Sequence, residues 1–183
     1  MARYVALLRG INVGGKNLIK MAALRACFEE HGYEDVDTYI QSGNVVFSSG
    51  GSSVTALTHR IERMLAANFD YEASVVLRNR TQMREIVEGA PKGFGADAAR
   101  YRYDVLFLKA PLTASTAMKS LLTREGVDRA AAGRGVPYFS RLTSRAAQSQ
   151  LSRIVSMPIY QSMTIRNWNT TTKLLHLMQG SAR

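Results

Sequence analysis

Residues 36–48 read VDTYIQSGNVVFS, and the fold turns on whether they form a hairpin. Val36 to Gln41 alternates in polarity and is rich in β-formers, and Asn44 to Ser48 does the same. Ser42-Gly43 between them predicts a two-residue turn. Upstream, Tyr4 to Leu8 is a compact apolar run that predicts a buried strand. Met21, Leu24, Cys27 and Phe28 then recur at helical spacing, and His31-Gly32 closes that helix. Downstream, a Gly/Ser cluster at 48–53 predicts a loop, Leu57, Ile61, Met64 and Leu65 a second helix, and Ala73 to Leu77 a closing strand. The resulting order is β-α-β-β-α-β, the ferredoxin-like arrangement.

The rest of the chain repeats that order loosely. A helix is expected near 81–89, a strand at 101–109 (YRYDVLFLK), and a helix from Ala114 to Leu122. Residues 127–132 and 136–141 predict a hairpin around Gly133-Arg134-Gly135. A helix near 145–155, a short strand at 162–165 and a helix over 169–179 complete the pattern. The expected fold class is α+β: two ferredoxin-like βαββαβ halves, antiparallel sheets with helices on one face, packed as one unit. The expected halves are 1–80 and 81–183, the second with extra helices.

Composition narrows the setting. No run of about eighteen apolar residues predicts a membrane span, and the N-terminal apolar stretch is too short for a signal peptide. Cys27 is the single cysteine, so no internal disulfide can form and a reducing cytoplasm is the expected location. The net charge is +10. It is uneven: residues 1–80 carry nine basic and eight acidic side chains, residues 81–183 fifteen and six. No carboxylate side chain follows Asp128, while Arg129, Arg134, Arg141, Arg145, Arg153, Arg166, Lys173 and Arg183 do. Such a field attracts phosphates and acidic partners.

Three polar stretches carry the candidate site. The first, LLRGINVGGKN (7–17), spells G-x-x-x-x-G-K from Gly10 to Lys16 but ends in Asn17, where a phosphate-cradling loop needs Ser or Thr for magnesium. A hairpin follows one helix later, and no apolar strand ends in an Asp for the second magnesium contact, so a nucleoside-triphosphatase loop is rejected. What survives is a glycine turn in which Arg9, Asn12, Lys16 and Asn17 could meet an anion. The second stretch places Gln41, Ser42 and Asn44 at the hairpin tip. The third, TIRNWNTTTKLL (164–175), supplies Arg166, Asn167 and Asn169 near a helix start, with Asn169 or Thr170 as its cap and Trp168 as a packing anchor.

Catalytic groups are scarce. Cys27 lies on an apolar helix stripe and reads as an inert core thiol. His31, His59 and His176 lack Cys, Asp or Glu partners at metal-ligand spacing, so no metal or cofactor is expected. An RNA-binding sheet needs aromatics on its central strands, and YVALLR and SGNVVF offer only Tyr4 and Phe47.

LLRGINVGGKN, MAALR, TYIQSGNVVF and TIRNWNTTTKLL resemble, in order, the signature blocks of the bacterial domain of unknown function 1697 family. The resemblance implies a bacterial protein with a ferredoxin-related α+β fold, and implies no activity. One departure is visible: Ser149-Gln150-Leu151 stands where the family pattern has Ser-Lys-Leu. The expected function is therefore a cytoplasmic binding protein for an anionic ligand, either nucleic acid or a phosphorylated metabolite, with the three stretches converging on it. An enzyme with an unrecognised active site, or a structural protein without a ligand, are the alternatives.

Overall fold

The structure is a computed structural model that describes residues 1–180, so Arg183 of the basic tail lies outside it. The chain divides into two compact units, one formed by Met1–Met83 with Lys173–Gly180, the other by Arg84–Thr172.

In the first unit the elements are β1 (Ala2–Leu8), α1 (Met21–Glu30), β2 (Glu34–Tyr39), β3 (Asn44–Ser49), α2 (Val54–Phe69), β4 (Val75–Asn79) and the start of α3 (Arg80–Glu88). The sheet order is β2-β3-β1-β4 with every pair antiparallel. That is the order a βαββαβ chain produces when both helices cross on the same face of the sheet and deliver β2 and β4 to its opposite edges. Tyr4, Ala6, Leu8, Val45, Phe47, Val75 and Leu77 share one sheet face, as period-two alternation requires. They join Leu24, Cys27 and Phe28 of α1 and Leu57, Ile61 and Leu65 of α2 in one core cluster. Full burial of an aromatic such as Phe28 or Phe47 contributes about 1.5–3 kcal/mol. Ser53 caps α2, its hydroxyl accepting the Ala56 N–H at 3.2 Å, and Asp70 ends the helix in the left-handed region.

The second unit holds the end of α3, then β5 (Tyr101–Leu108), α4 (Ala114–Ser120), β6 (Asp128–Ala132), β7 (Pro137–Leu142), β8 (Met163–Asn167) and the start of α5 (Trp168–Gln179). Its antiparallel sheet runs β6-β7-β5-β8, the same order as the first. The fold is thus α+β, with two four-stranded antiparallel sheets, as the sequence predicts.

Two details differ from expectation. The hairpin loop has four residues, 40–43, because Tyr39 pairs directly with Asn44. Asn44 Nδ2 closes this loop by donating to the Tyr39 carbonyl at 2.8 Å. The helix expected near 145–155 is replaced by three 3-10 turns, Thr143–Gln148, Leu151–Ser156 and Pro158–Ser162. Leu151 and Ile154 are spaced three apart, matching the tighter 3-10 repeat, and both are buried. Serines compete locally for the backbone there: Ser149 Oγ accepts the Leu151 N–H at 3.2 Å and Ser156 Oγ donates to the Arg153 carbonyl at 2.8 Å. Asp128 anchors the segment, its Oδ2 accepting the N–H groups of Arg124 at 2.9 Å and Gln150 at 2.8 Å.

Candidate functional site

The first two polar stretches meet inside the first unit. Leu8 N–H donates to the Gly43 carbonyl at 2.8 Å. Asn12 Nδ2 donates to the carbonyls of Gln41 at 2.8 Å and Ile19 at 3.0 Å, while its Oδ1 accepts the Ile19 N–H at 2.8 Å. Asn17 Nδ2 donates to the Gly10 carbonyl at 2.9 Å. Both asparagines sit in the left-handed region, which Asn tolerates better than most residues. At the loop tip Lys16 N–H returns to the Val13 carbonyl at 3.1 Å across two positive-φ glycines, Gly14 and Gly15. Twelve residues separate β1 from α1, so Lys16 does not sit at a helix start, which removes the phosphate-loop geometry a second time. Asn12, Asn17 and Asn44 therefore brace the loop and the hairpin. Ser42 Oγ accepts from Asn44 Nδ2 at 3.1 Å. Lys16 and Gln41 are exposed and Arg9 is half-buried.

The third stretch lies in the second unit and is more structural than its composition suggests. Arg166 is 7% exposed. Its Nη1 donates to Thr164 Oγ1 at 2.7 Å and to the Ile165 carbonyl at 3.0 Å, and burial lowers its pKa to about 10. Asn167, rather than Asn169 or Thr170, caps α5: its Oδ1 accepts the Thr170 N–H at 2.8 Å. The end of β4 carries the same device. Arg78 Nη1 donates to the Leu77 carbonyl at 2.9 Å, with a pKa that burial also lowers to about 10. Asn79 Oδ1 accepts the Gln82 N–H at 2.8 Å, and Gln82 Oε1 accepts the Asn79 N–H at 3.0 Å, a reciprocal cap for α3. Arg78 pairs with Val5 of β1 as Arg166 pairs with Val105 of β5. An Arg-Asn step at the end of the fourth strand is thus part of each sheet's construction.

Sequence reasoning missed the aromatic face of the second sheet. Leu106, Leu108, Phe139 and Met163 turn toward α4 and the 3-10 turns, where they join Ala117, Leu121, Leu151 and Ile154. By alternation, Tyr101, Tyr103, Tyr138 and Ser140 turn to the opposite face. Tyr101 and Tyr103 are half-buried on β5, and Tyr138 is buried on β7 with its hydroxyl donating to the Ile86 carbonyl at 2.6 Å. Phe94, from the loop at 89–100, stands edge-on to Tyr103, Tyr138 and Trp168 at centroid separations of 4.9, 5.3 and 5.1 Å. A Cβ at Gly95 would overlap the Trp168 ring, so glycine is required there. The guanidinium carbons of Arg100 and Arg129 each lie 5.6 Å from the Tyr101 ring centroid, in cation–π range. The visible signal is the alternation YRY at 101–103, which by itself marks only a strand.

Two cavities open on this unit. One, of about 270 Å³, is lined by Lys92, Phe94, Tyr101, Tyr103, Arg129 and Ser140 among others. The second, of about 370 Å³, is lined by Tyr101, Arg102, Tyr103, Asp104, Arg141, Trp168 and the amides Asn167 and Asn169. The unit carries thirteen basic and six acidic side chains. Asp104 lies 3.4 Å from Arg141. Burial raises the Asp104 carboxyl above its ordinary range, and the Arg141 and Arg102 charges only partly oppose this.

Cys27 is buried, and desolvation raises its thiol pKa further, so it is no nucleophile. Among the described residues no cluster of three or more His, Cys, Asp or Glu groups could hold a metal ion, and no helix is long and apolar enough to cross a membrane.

Comparisons with known proteins agree with this architecture. The solved structure of conserved bacterial protein SP0830 from Streptococcus pneumoniae is similar, with a TM-score of 0.83 and 28% sequence identity over 97% of this chain and 98% of that one. No curated protein matches. The family model for a protein of unknown function, DUF1697, matches residues 1–138, which contain the first two polar stretches and most of the aromatic face but end before the third stretch. The chain belongs to the DUF1697 family.

Proposed function

We propose that this chain is a cytoplasmic binding protein for an anionic ligand that carries a flat ring, a nucleotide or a nucleic acid, held at the aromatic face of the second sheet. The observation that carries the reading is the cavity in which Tyr101 and Tyr103 stand beside Lys92 and Arg129. Aromatic side chains supply stacking surfaces and the cations supply charge, the pairing that single-stranded nucleic acid sites use. A lone buried thiol and no disulfide suit a reducing compartment. In the same reading, Arg9, Lys16 and Gln41 give the first unit a separate anion contact, and Asn167 and Asn169 supply amides to the larger cavity of the second. Arg166, Asn12 and Asn44 act as supports.

The test is isothermal titration with nucleoside monophosphates and short oligonucleotides. Tyr101→Ala is expected to weaken binding by about 1–3 kcal/mol, and affinity should fall steeply as salt rises. Binding that ignores both salt and Tyr101 would refute the reading. A second reading, an enzyme acting on the bound ligand, is favoured by one observation, the buried Asp104 carboxyl facing the larger cavity. It predicts turnover of a bound oligonucleotide that Asp104→Asn abolishes while binding persists.

A further inference from the structure

We propose that the ligand is a single strand of at least two nucleotides, laid across the start of β5 so that consecutive units occupy the two cavities. This deepens the reading above and rests on it. The two cavities share Tyr101 and Tyr103 as a common wall. Each repeats the same chemistry. The smaller joins Phe94, Tyr101 and Tyr103 to Lys92 and Arg129, and the larger joins Tyr101, Tyr103 and Trp168 to Arg102 and to Arg141, which is paired with the Asp104 carboxylate in the same wall. A mononucleotide on the shared tyrosines meets the outer ring and cations of one cavity and leaves those of the other in water, whereas a strand offers a ring and a phosphate to both.

The reach between them is set by the strand. β5 pairs with β8 only as far as Asp104–Asn167. Beyond that pair β8 gives way to α5 at Trp168, and residues 101–103 continue past it. The larger cavity lies at this step, and the smaller lies on the sheet face next to it, over Ser140, the register partner of Tyr103. A base on Tyr101 exchanges one planar cation–π contact, with Arg100 or Arg129, for a planar stack, so the ring is accessible at modest cost. Asn167 and Asn169 place amide groups where an unpaired base edge can be read. A duplex hides its base faces in its own stack, so the arrangement selects single strands.

The experiment is fluorescence anisotropy with labelled RNA and DNA of one, two and six nucleotides, and with a six-pair duplex. A dinucleotide or hexamer of either sugar is expected to bind at least tenfold more tightly than the mononucleotide and than the duplex. Arg102→Gln in the larger cavity and Arg129→Gln in the smaller are each expected to lower the salt slope by about one for the hexamer. Tyr101→Phe should retain binding while Tyr101→Ala loses tenfold or more, with unchanged melting temperature as the folding control. Equal affinity for mononucleotide and hexamer would overturn the two-cavity strand and leave the nucleotide reading standing. Equal affinity for duplex and single strand would overturn base stacking. No binding of any of them by the wild type would remove the nucleotide reading itself.

Discussion

Opposite Ser48 in the first sheet stands Arg3, and opposite Ser140 in the second stands Tyr103. The two sheets share strand order, register and an Arg-Asn step at the end of the fourth strand, so these positions correspond. Arg3 is spent on structure: its Nη1 donates to the Asp35 carbonyl at 2.6 Å, and its Nη2 lies 3.7 Å from Asp37. Likewise Val46 corresponds to Tyr138. One scaffold therefore carries an aliphatic, internally paired face in one copy and a tyrosine-rich face with cavities in the other. What differs is side chain, not topology, which is how a common fold acquires a site.

The comparison can be broken most forcefully at the aromatic hub. Gly95→Ala adds a methyl group against Trp168 at a φ of +83°, combining overpacking with backbone strain, and should cost about 2–4 kcal/mol in urea unfolding. Gly93→Ala, at a similar φ but facing open space, should cost only about 1 kcal/mol. If the two variants were equal, Trp168 would not be held by close approach. Next in size is the cap. Asn79→Ala and Asn167→Ala should each cost about 1 kcal/mol, and matching losses in thermal melts would confirm that the Arg-Asn steps are equivalent. A loss confined to one of them would separate the halves.

The smallest effect concerns pH. Tyr4 of the first sheet corresponds to Asp104 of the second. Burial, more than Arg141 opposes, holds the Asp104 carboxyl above its ordinary value. The folded state thus binds that proton more tightly than the unfolded chain. Its contribution to folding is present at acid pH and is lost as pH rises through the folded value. Asp104→Asn should therefore gain stability relative to wild type as pH rises above the ordinary carboxylate range. A flat difference would show that Arg141 compensates the burial fully.

Much of the scaffold was legible because its signals are local. The apolar β-forming run VVF in NVVFS names a strand, buried on both faces, and the spacing of Leu57, Ile61 and Leu65 names a helix and its buried face. The 3-10 region was not legible, since Leu151 and Ile154 fit a helical stripe and only Pro158 and the serines argue against a full helix. The site was harder still. Tyr101 and Tyr103 alternate with Arg102 and Asp104, a pattern that marks a strand without saying which face is open. Phe94 sits in the loop at 89–100, which has no periodicity to follow. The structural equivalence of Arg166 and Arg78 is not legible either, because LRNRTQ and IRNWNT share only the Arg-Asn step in sequence.

The division of the chain has a practical consequence. The single cysteine, Cys27, is buried in the first unit, and the single tryptophan, Trp168, is wedged against Phe94 in the second. Thiol labelling and indole fluorescence thus report on different units of an unaltered chain. Coincident transitions by the two probes would make the protein one cooperative system, and separated ones would rank its halves by stability.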